Sequence, residues 1–122
     1  MKYRKYTFIC NYGRNRSFYA ARVTRELAQE RNLDLKADFI WLYPEESEAC
    51  EKREAKRLKE SNKIFVMTSE IGKTARERYH IPKKKIVCLN IEDDYDCDGL
   101  AGETMTRMLK ELLRKKLDKW VR

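Results

Sequence analysis

Two side chains near the start of the chain could carry out chemistry together. Cys10 is a potential nucleophile, and Arg16, six positions later, carries a guanidinium that can form two parallel hydrogen bonds to an oxyanion. Ser17 follows directly and can donate its hydroxyl to a thiolate at position 10. A nucleophile, an oxyanion ligand and a hydroxyl donor at this spacing indicate phosphoryl transfer through a cysteinyl-phosphate.

The surrounding sequence predicts how these residues are positioned. An apolar, β-favouring run from Tyr6 to Ile9 ends at Cys10, and Arg16-Ser17 opens a long helical pattern. A loop between a strand end and a helix start presents backbone N–H groups and the positive end of the helix dipole, which favour an anion and also favour a thiolate. The residues expected to surround a bound phosphate are Asn11, Tyr12, Gly13, Arg14, Asn15, Arg16 and Ser17.

The rest of the chain alternates between strand and helix patterns. Further strands are predicted over 33–43, 63–68 and 85–91, and helices over 17–32, 45–61, from 69 to about 80, and over 100–121. This alternation is typical of an α/β domain with a parallel sheet and helices on both faces. We predict a single flavodoxin-like, three-layer domain over residues 1–122, with a four-stranded sheet in the order 2-1-3-4.

An acidic segment is expected at the same sheet edge as Cys10. It follows the last predicted strand and contains Asp93, Asp94 and Asp96. Ligands of open α/β sheets bind beyond the carboxyl ends of the strands, where both segments emerge. One carboxylate could protonate the leaving oxygen and then activate water, which is the acid–base work that phosphoryl transfer through a cysteine requires.

These motifs resemble the cysteine-based protein tyrosine phosphatases. The run from Cys10 to Ser17 is similar to their signature, and its place after the first strand resembles the low-molecular-weight class. The segment 91–95, Ile-Glu-Asp-Asp-Tyr, resembles the Asp-Pro-Tyr acid loop of that class. The stretches 64–67 and 87–95 also resemble a small group of predicted prokaryotic phosphatases. The resemblance implies that Cys10 is the nucleophile, Arg16 the phosphate ligand and Asp93 the general acid, with Asp94 and Asp96 as alternatives.

The loop departs from the usual pattern Cys-x-Gly-Asn-x-Cys-Arg-Ser-Pro. Gly13 lies one place later, Asn15 stands where the second cysteine would be, and Phe18 replaces the proline. Without a cysteine at position 15, Cys10 lacks the partner for a protective disulfide, so peroxide is expected to drive it toward irreversible oxidation. Tyr12, Trp41 and Tyr43 are candidates to flank the mouth of the site, although aromatic residues at strand ends commonly serve packing.

Composition limits the remaining possibilities. The formal net charge is +8 and 39% of residues are charged, which favours anionic partners. The four cysteines lack Cys-x-x-Cys spacing and the single histidine, His80, has no nearby ligand partner, so neither a metal site nor a disulfide framework is predicted. We also find no signal-peptide pattern and no apolar run long enough to span a membrane. We therefore expect a cytoplasmic protein that uses no cofactor.

Three functions compete at this stage. The first is hydrolysis of phosphomonoesters, with a phosphotyrosine protein or a small aryl phosphate as substrate. The second is arsenate reduction, which needs two further thiols near Cys10, whereas Cys88 lies in a predicted strand and only Cys97 in a loop. The third is a non-catalytic module that binds phosphate groups of proteins or nucleic acids, for which the basic runs 83–85 and 114–116 are candidate contacts.

Overall fold

The computed structural model describes residues 4–11, 15–43, 45–91 and 102–122. Strands and helices alternate along these residues, as the sequence predicts. The strands are β1 (Arg4–Asn11), β2 (Leu35–Leu42), β3 (Lys63–Val66) and β4 (Ile86–Cys88). The helices are α1 (Arg16–Glu30), α2 (Glu48–Lys59), α3 (Ser69–Tyr79) and α4 (Gly102–Leu117), and a 3₁₀ turn spans Lys83–Lys85.

The described strands form one parallel sheet in the order β2-β1-β3-β4, which confirms the predicted topology. β1 lies between two neighbours, and its residues from Tyr6 to Cys10 are buried. A strand covered on both faces needs a continuous apolar run instead of an alternating one, which explains the sequence of β1. Phe8 lies opposite Phe39 of β2 and Phe65 of β3, and its ring stacks on that of Phe65.

Helices cover both faces of this sheet. α1 packs against α4, and α2 packs against α3. Phe65 contacts Trp120, just after α4, whereas the next residue, Val66, faces Gly72 of α3. Successive residues of a strand point to opposite faces, so the two helix pairs lie on opposite sides. A Cβ on Gly72 would lie 3.1 Å from a Val66 methyl group, so the missing side chain lets α3 approach the sheet closely.

The end of α1 falls where the sequence predicts a stop. Asn32 adopts a left-handed conformation, with φ of 56°. Its N–H donates to the Gln29 carbonyl, and the N–H of Leu33 donates to the Ala28 carbonyl. These two bonds form a Schellman motif, which satisfies carbonyl groups at a helix end, and asparagine tolerates the left-handed conformation better than most residues.

Helix α2 is shorter than the predicted helix over 45–61. Of its small and apolar residues, only Leu58 is buried, Cys50 and Ala55 are half-buried, and Ala49 is exposed. Glu54 takes the second buried position of the helix. Its carboxylate accepts hydrogen bonds from Arg53 and Arg57. A buried carboxylate is tolerated when paired guanidinium groups replace its hydration.

The last strand is also shorter than predicted. β4 covers three residues, and its last residue, Cys88, is half-buried because β4 lies at the edge of the sheet that the described strands form. Beyond β4 the backbone still pairs with the chain after β3, since the N–H of Leu89 donates to the Val66 carbonyl at 2.9 Å. In the part of the chain that the structure describes, no helix is long and apolar enough to cross a membrane.

Candidate active site

Cys10 and Ser17 meet at the carboxyl edge of the sheet. β1 ends at Asn11, and α1 begins at Arg16. The Cys10 Sγ lies 2.8 Å from the Ser17 Oγ, and both side chains have no exposed surface. If Cys10 is a thiolate, its sulfur can only accept, so the Ser17 hydroxyl is the donor in this pair. A hydrogen bond from the Ser17 hydroxyl favours the charged sulfur, whereas burial by itself disfavours it.

Arg16, the residue directly before Ser17, is also buried. Its side chain is 1% exposed, and one terminal nitrogen donates to the Ile91 carbonyl at 2.5 Å. The N–H of Ile91 donates to the Met67 carbonyl, and the N–H of Met67 donates to the Ile9 carbonyl. These two hydrogen bonds connect the chain beyond β4 to the chain beyond β3, and the chain beyond β3 to β1, at the carboxyl edge of the sheet. Arg16 therefore bonds to Ile91, the residue that directly precedes the predicted acid segment in the sequence.

The remaining residues proposed from the sequence are placed as follows. Asn11 is exposed at the last position of β1, and Asn15 is half-buried directly before α1. The Asn15 carbonyl accepts a hydrogen bond from the Tyr19 N–H at 3.0 Å. Outside the described residues lie Tyr12, Gly13, Arg14, Asp93, Asp94 and Asp96.

The start of α1 favours a negative charge. The first turn contains no acidic residue, and the residue before it, Asn15, does not cap the helix with its side chain. The N–H groups at the helix start therefore carry the positive end of the helix dipole, and Arg16 is the first residue of this helix. An oxyanion held beside the Cys10 sulfur would match this charge distribution.

Aromatic side chains line the sheet on the β2 side of the site. Trp41 is the register partner of Cys10, and both point to the face that α1 covers. Phe39 lies two residues earlier on the same face, with its ring 6.0 Å from that of Trp41. Phe18, which replaces the usual proline, meets Phe39 edge to face at 5.5 Å. Phe39 and Trp41 lie two positions apart in a predicted strand, so the sequence indicates that they share a face, but it does not indicate the contact with Phe18.

The chain after β2 is anchored by a buried carboxylate that the sequence did not single out. The Glu46 side chain is 1% exposed and accepts hydrogen bonds from the Tyr79 hydroxyl at 2.8 and 2.9 Å. Burial and then the hydrogen bond to Glu46 raise the pKa of Tyr79 far above its ordinary value. Arg78 donates to the Tyr43 carbonyl, while 39% of the Tyr43 side chain is exposed. This segment is thus fixed to α3.

Among the residues described, no group of three or more His, Cys, Asp or Glu side chains could hold a metal ion.

Solved structures share this architecture over nearly the whole chain. YwlE from Bacillus subtilis, in a mutant form, matches with a TM-score of 0.71 at 15% identity, covering 98% of this chain and 99% of that chain. The low molecular weight protein tyrosine phosphatase from T. tengcongensis matches with a TM-score of 0.70 at 21% identity, covering 95% and 99%.

A further structure of YwlE is that of an arginine phosphatase, in a cysteine-to-serine mutant with a phosphorylated active-site serine. It matches with a TM-score of 0.65 at 16% identity, covering 94% of this chain and 96% of that chain. No protein-family model matches the sequence, and no curated protein sequence matches it. The chain has the fold of the low molecular weight protein tyrosine phosphatases, as its sequence motifs predict.

Proposed function

We propose that this protein hydrolyses phosphomonoesters through a cysteinyl-phosphate on Cys10, most readily those of phosphotyrosine proteins. The observation that carries the proposal is the buried 2.8 Å contact between the Cys10 sulfur and the Ser17 hydroxyl, with the buried residue Arg16 directly before Ser17 at the start of α1. A buried thiol that is merely structural has no need of a hydroxyl donor and a cation together. This combination is what a reactive thiolate and a bound phosphate both require.

The first chemical step forms the intermediate. The Cys10 thiolate attacks phosphorus, a sulfur–phosphorus bond forms, and the bond from phosphorus to the leaving oxygen breaks. The phosphoryl oxygens accept hydrogen bonds from the Arg16 guanidinium and from N–H groups at the start of α1, which offset the charge in the transition state. Asp93 donates its proton to the leaving oxygen, so the substrate departs as an alcohol or phenol.

The second step regenerates the enzyme. Asp93, now a carboxylate, takes a proton from water, and the water oxygen attacks phosphorus. The sulfur–phosphorus bond breaks and returns its electron pair to Cys10 as a thiolate, and inorganic phosphate leaves. Ser17 donates to the sulfur in this step too, because the thiolate is the leaving group and its charge needs a hydrogen bond.

The test is hydrolysis of para-nitrophenyl phosphate in EDTA from about pH 4 to about pH 8, the range over which an acid and a base limb should both appear. Activity should vanish in Cys10→Ser and fall in Asp93→Ala, with Asp94→Ala and Asp96→Ala as comparisons. Cys88→Ser is the matched control, because Cys88 is a half-buried thiol at the sheet edge whose sulfur bonds to the nearby Asn90. Undiminished hydrolysis of para-nitrophenyl phosphate by Cys10→Ser would contradict the proposal.

Phosphoarginine proteins are a second candidate substrate, because one structural neighbour is named an arginine phosphatase. A phosphotyrosine peptide and a phosphoarginine peptide of the same sequence distinguish the two. A kcat/KM at least tenfold higher for phosphotyrosine supports our first assignment, and the reverse ratio supports the second. Arsenate reduction has less support, since Cys88 bonds to Asn90 at the edge of the sheet instead of joining Cys10.

A non-catalytic phosphate-binding module is the remaining alternative, and the net charge of +8 is its main support. It predicts salt-dependent binding of phosphopeptides or nucleic acid without phosphate release. Measuring phosphate release and binding on the same preparation separates this alternative from the hydrolase.

A further inference from the structure

A groove lies far from the candidate active site, between the C-terminal ends of α2 and α3. Its volume is about 770 Å³, within the range of ligand-binding pockets. Lys59 ends α2 shortly before β3 starts, and Tyr79 ends α3 shortly before β4 starts. The groove therefore lies at the amino edge of the sheet. The length of β1, eight residues and roughly 25 Å, separates this edge from Cys10.

The walls of the groove are apolar and rigid. Leu58 and Ile81 line it and are almost fully buried, and the Tyr79 ring forms a further part of the wall. The Tyr79 hydroxyl is held by the Glu46 carboxylate, which fixes the orientation of the ring. Such walls suit an apolar side chain inserted from outside.

The rim of the groove is basic. Lys56, Lys59 and Lys85 line it. The Lys85 ammonium donates to the Lys59 carbonyl at 3.0 Å, which holds one side of the rim in place. Within the described part of the chain, Lys56 and Lys59 form no ion pair, although both are exposed. Their charges are free to meet acidic groups of a partner.

We propose that this groove binds an acidic segment of a partner protein, which inserts one apolar side chain between α2 and α3. The apolar walls provide the pocket for the anchor, and the lysines around it complement carboxylates on either side of that anchor. A highly basic chain attracts acidic segments in general, and the groove adds a defined place for one of them. The proposal concerns binding alone and does not depend on catalysis at Cys10.

The test uses three fluorescein-labelled peptides of ten residues, measured by anisotropy with the full chain. The first has a Leu-Phe pair flanked by glutamates, the second has serines in place of the pair, and the third has lysines in place of the glutamates. We expect the first peptide to bind, with an affinity that falls as salt rises, and the other two to bind at least about fivefold more weakly.

Variants of the protein locate the binding site. The double variant Lys56→Gln and Lys59→Gln should lower the affinity for the first peptide about two- to thirtyfold, since each exposed charge pair contributes about 0.2–1 kcal/mol. Lys115→Gln with Lys116→Gln is the matched control, because it removes two lysines from the last turn of α4, as the first variant does from α2. Ala55→Phe places a ring in the groove and should compete with the anchor.

Each outcome bears on the proposal. If both double lysine variants weaken binding of the first peptide equally, the peptide is attracted by net charge alone, and the proposal is overturned. Binding of the serine peptide as tightly as the Leu-Phe peptide would contradict the apolar anchor. Binding of dodecanoate at the groove with no binding of the first peptide would assign it to a small amphiphilic anion instead, and would also overturn the proposal. Thermal unfolding of each variant shows that the fold is retained.

Discussion

Ser17→Ala removes one buried hydroxyl, the group 2.8 Å from the Cys10 sulfur. Both side chains are fully buried, so water cannot replace the lost hydrogen bond without rearrangement. A hydrogen bond to a charged group contributes about 1.5–3 kcal/mol, and each 1.36 kcal/mol changes a rate tenfold. We therefore expect kcat/KM for para-nitrophenyl phosphate to fall by about ten- to a hundredfold in this variant.

The pH profile separates an effect on the thiolate from a general loss of structure. Without the Ser17 donor the thiol is favoured over the thiolate, so the acid limb of kcat/KM should move to higher pH. Ser61→Ala is the matched control, since Ser61 is also a buried serine, with its hydroxyl 2.7 Å from that of Thr7. Ser61→Ala should lower the free energy of unfolding by about 1 kcal/mol and leave kcat/KM unchanged. Wild-type activity with an unmoved acid limb in Ser17→Ala would refute this account of the site.

Three further variants test other parts of the structure. Arg16→Lys replaces a forked donor with a single ammonium and should lower kcat by about a hundredfold or more; near-wild-type kcat in a folded variant would argue against phosphate binding by Arg16. Burial by itself raises the pKa of Asp38, but hydrogen bonds from Arg57 and the Phe39 N–H, with the charges of Arg57 and Lys5, together lower it more, so the folded pKa lies below the unfolded one. This contribution to stability is present at neutral pH and is lost as pH falls through the folded pKa. Asp38→Asn should therefore reduce the loss of unfolding free energy below about pH 4 in urea titrations, and an unchanged loss would contradict it. Leu113→Ala empties a fully buried position in α4 and should cost about 2–5 kcal/mol in urea unfolding, and a cost below about 1 kcal/mol would show that the core relaxes around it.

The elements that bury continuous apolar runs could be predicted from the sequence. β1 and the topology of the sheet follow from the alternation of strands and helices, and the end of α1 follows from Asn32, whose conformation few residues adopt easily. The closeness of Cys10 and Ser17 also follows from sequence, because a strand end and the next helix start must meet at one edge.

Contacts between distant parts of the chain could not be predicted in the same way. Arg16 donates to the backbone carbonyl of Ile91, and every residue carries such a carbonyl. The sequence therefore could not indicate this hydrogen bond. From the sequence, Glu54 and Glu46 would be placed on the surface, because glutamate is rarely buried. Their burial depends on hydrogen-bond donors that the fold brings close to them. Among the strands that the structure describes, β4 pairs with β3 alone, and its apolar sequence does not indicate that it lies at the edge of the sheet.

The most direct test of the central claim is to trap the phosphorylated enzyme. Para-nitrophenolate leaves readily without a proton, so in Asp93→Ala the intermediate should form and then break down slowly for lack of a base. Protein quenched in acid during turnover and analysed by mass spectrometry should carry one phosphate, on the peptide that contains Cys10, and none in Cys10→Ala. Steady phosphate release from the wild-type protein, with no phosphate on Cys10 in either wild type or Asp93→Ala, would contradict the account.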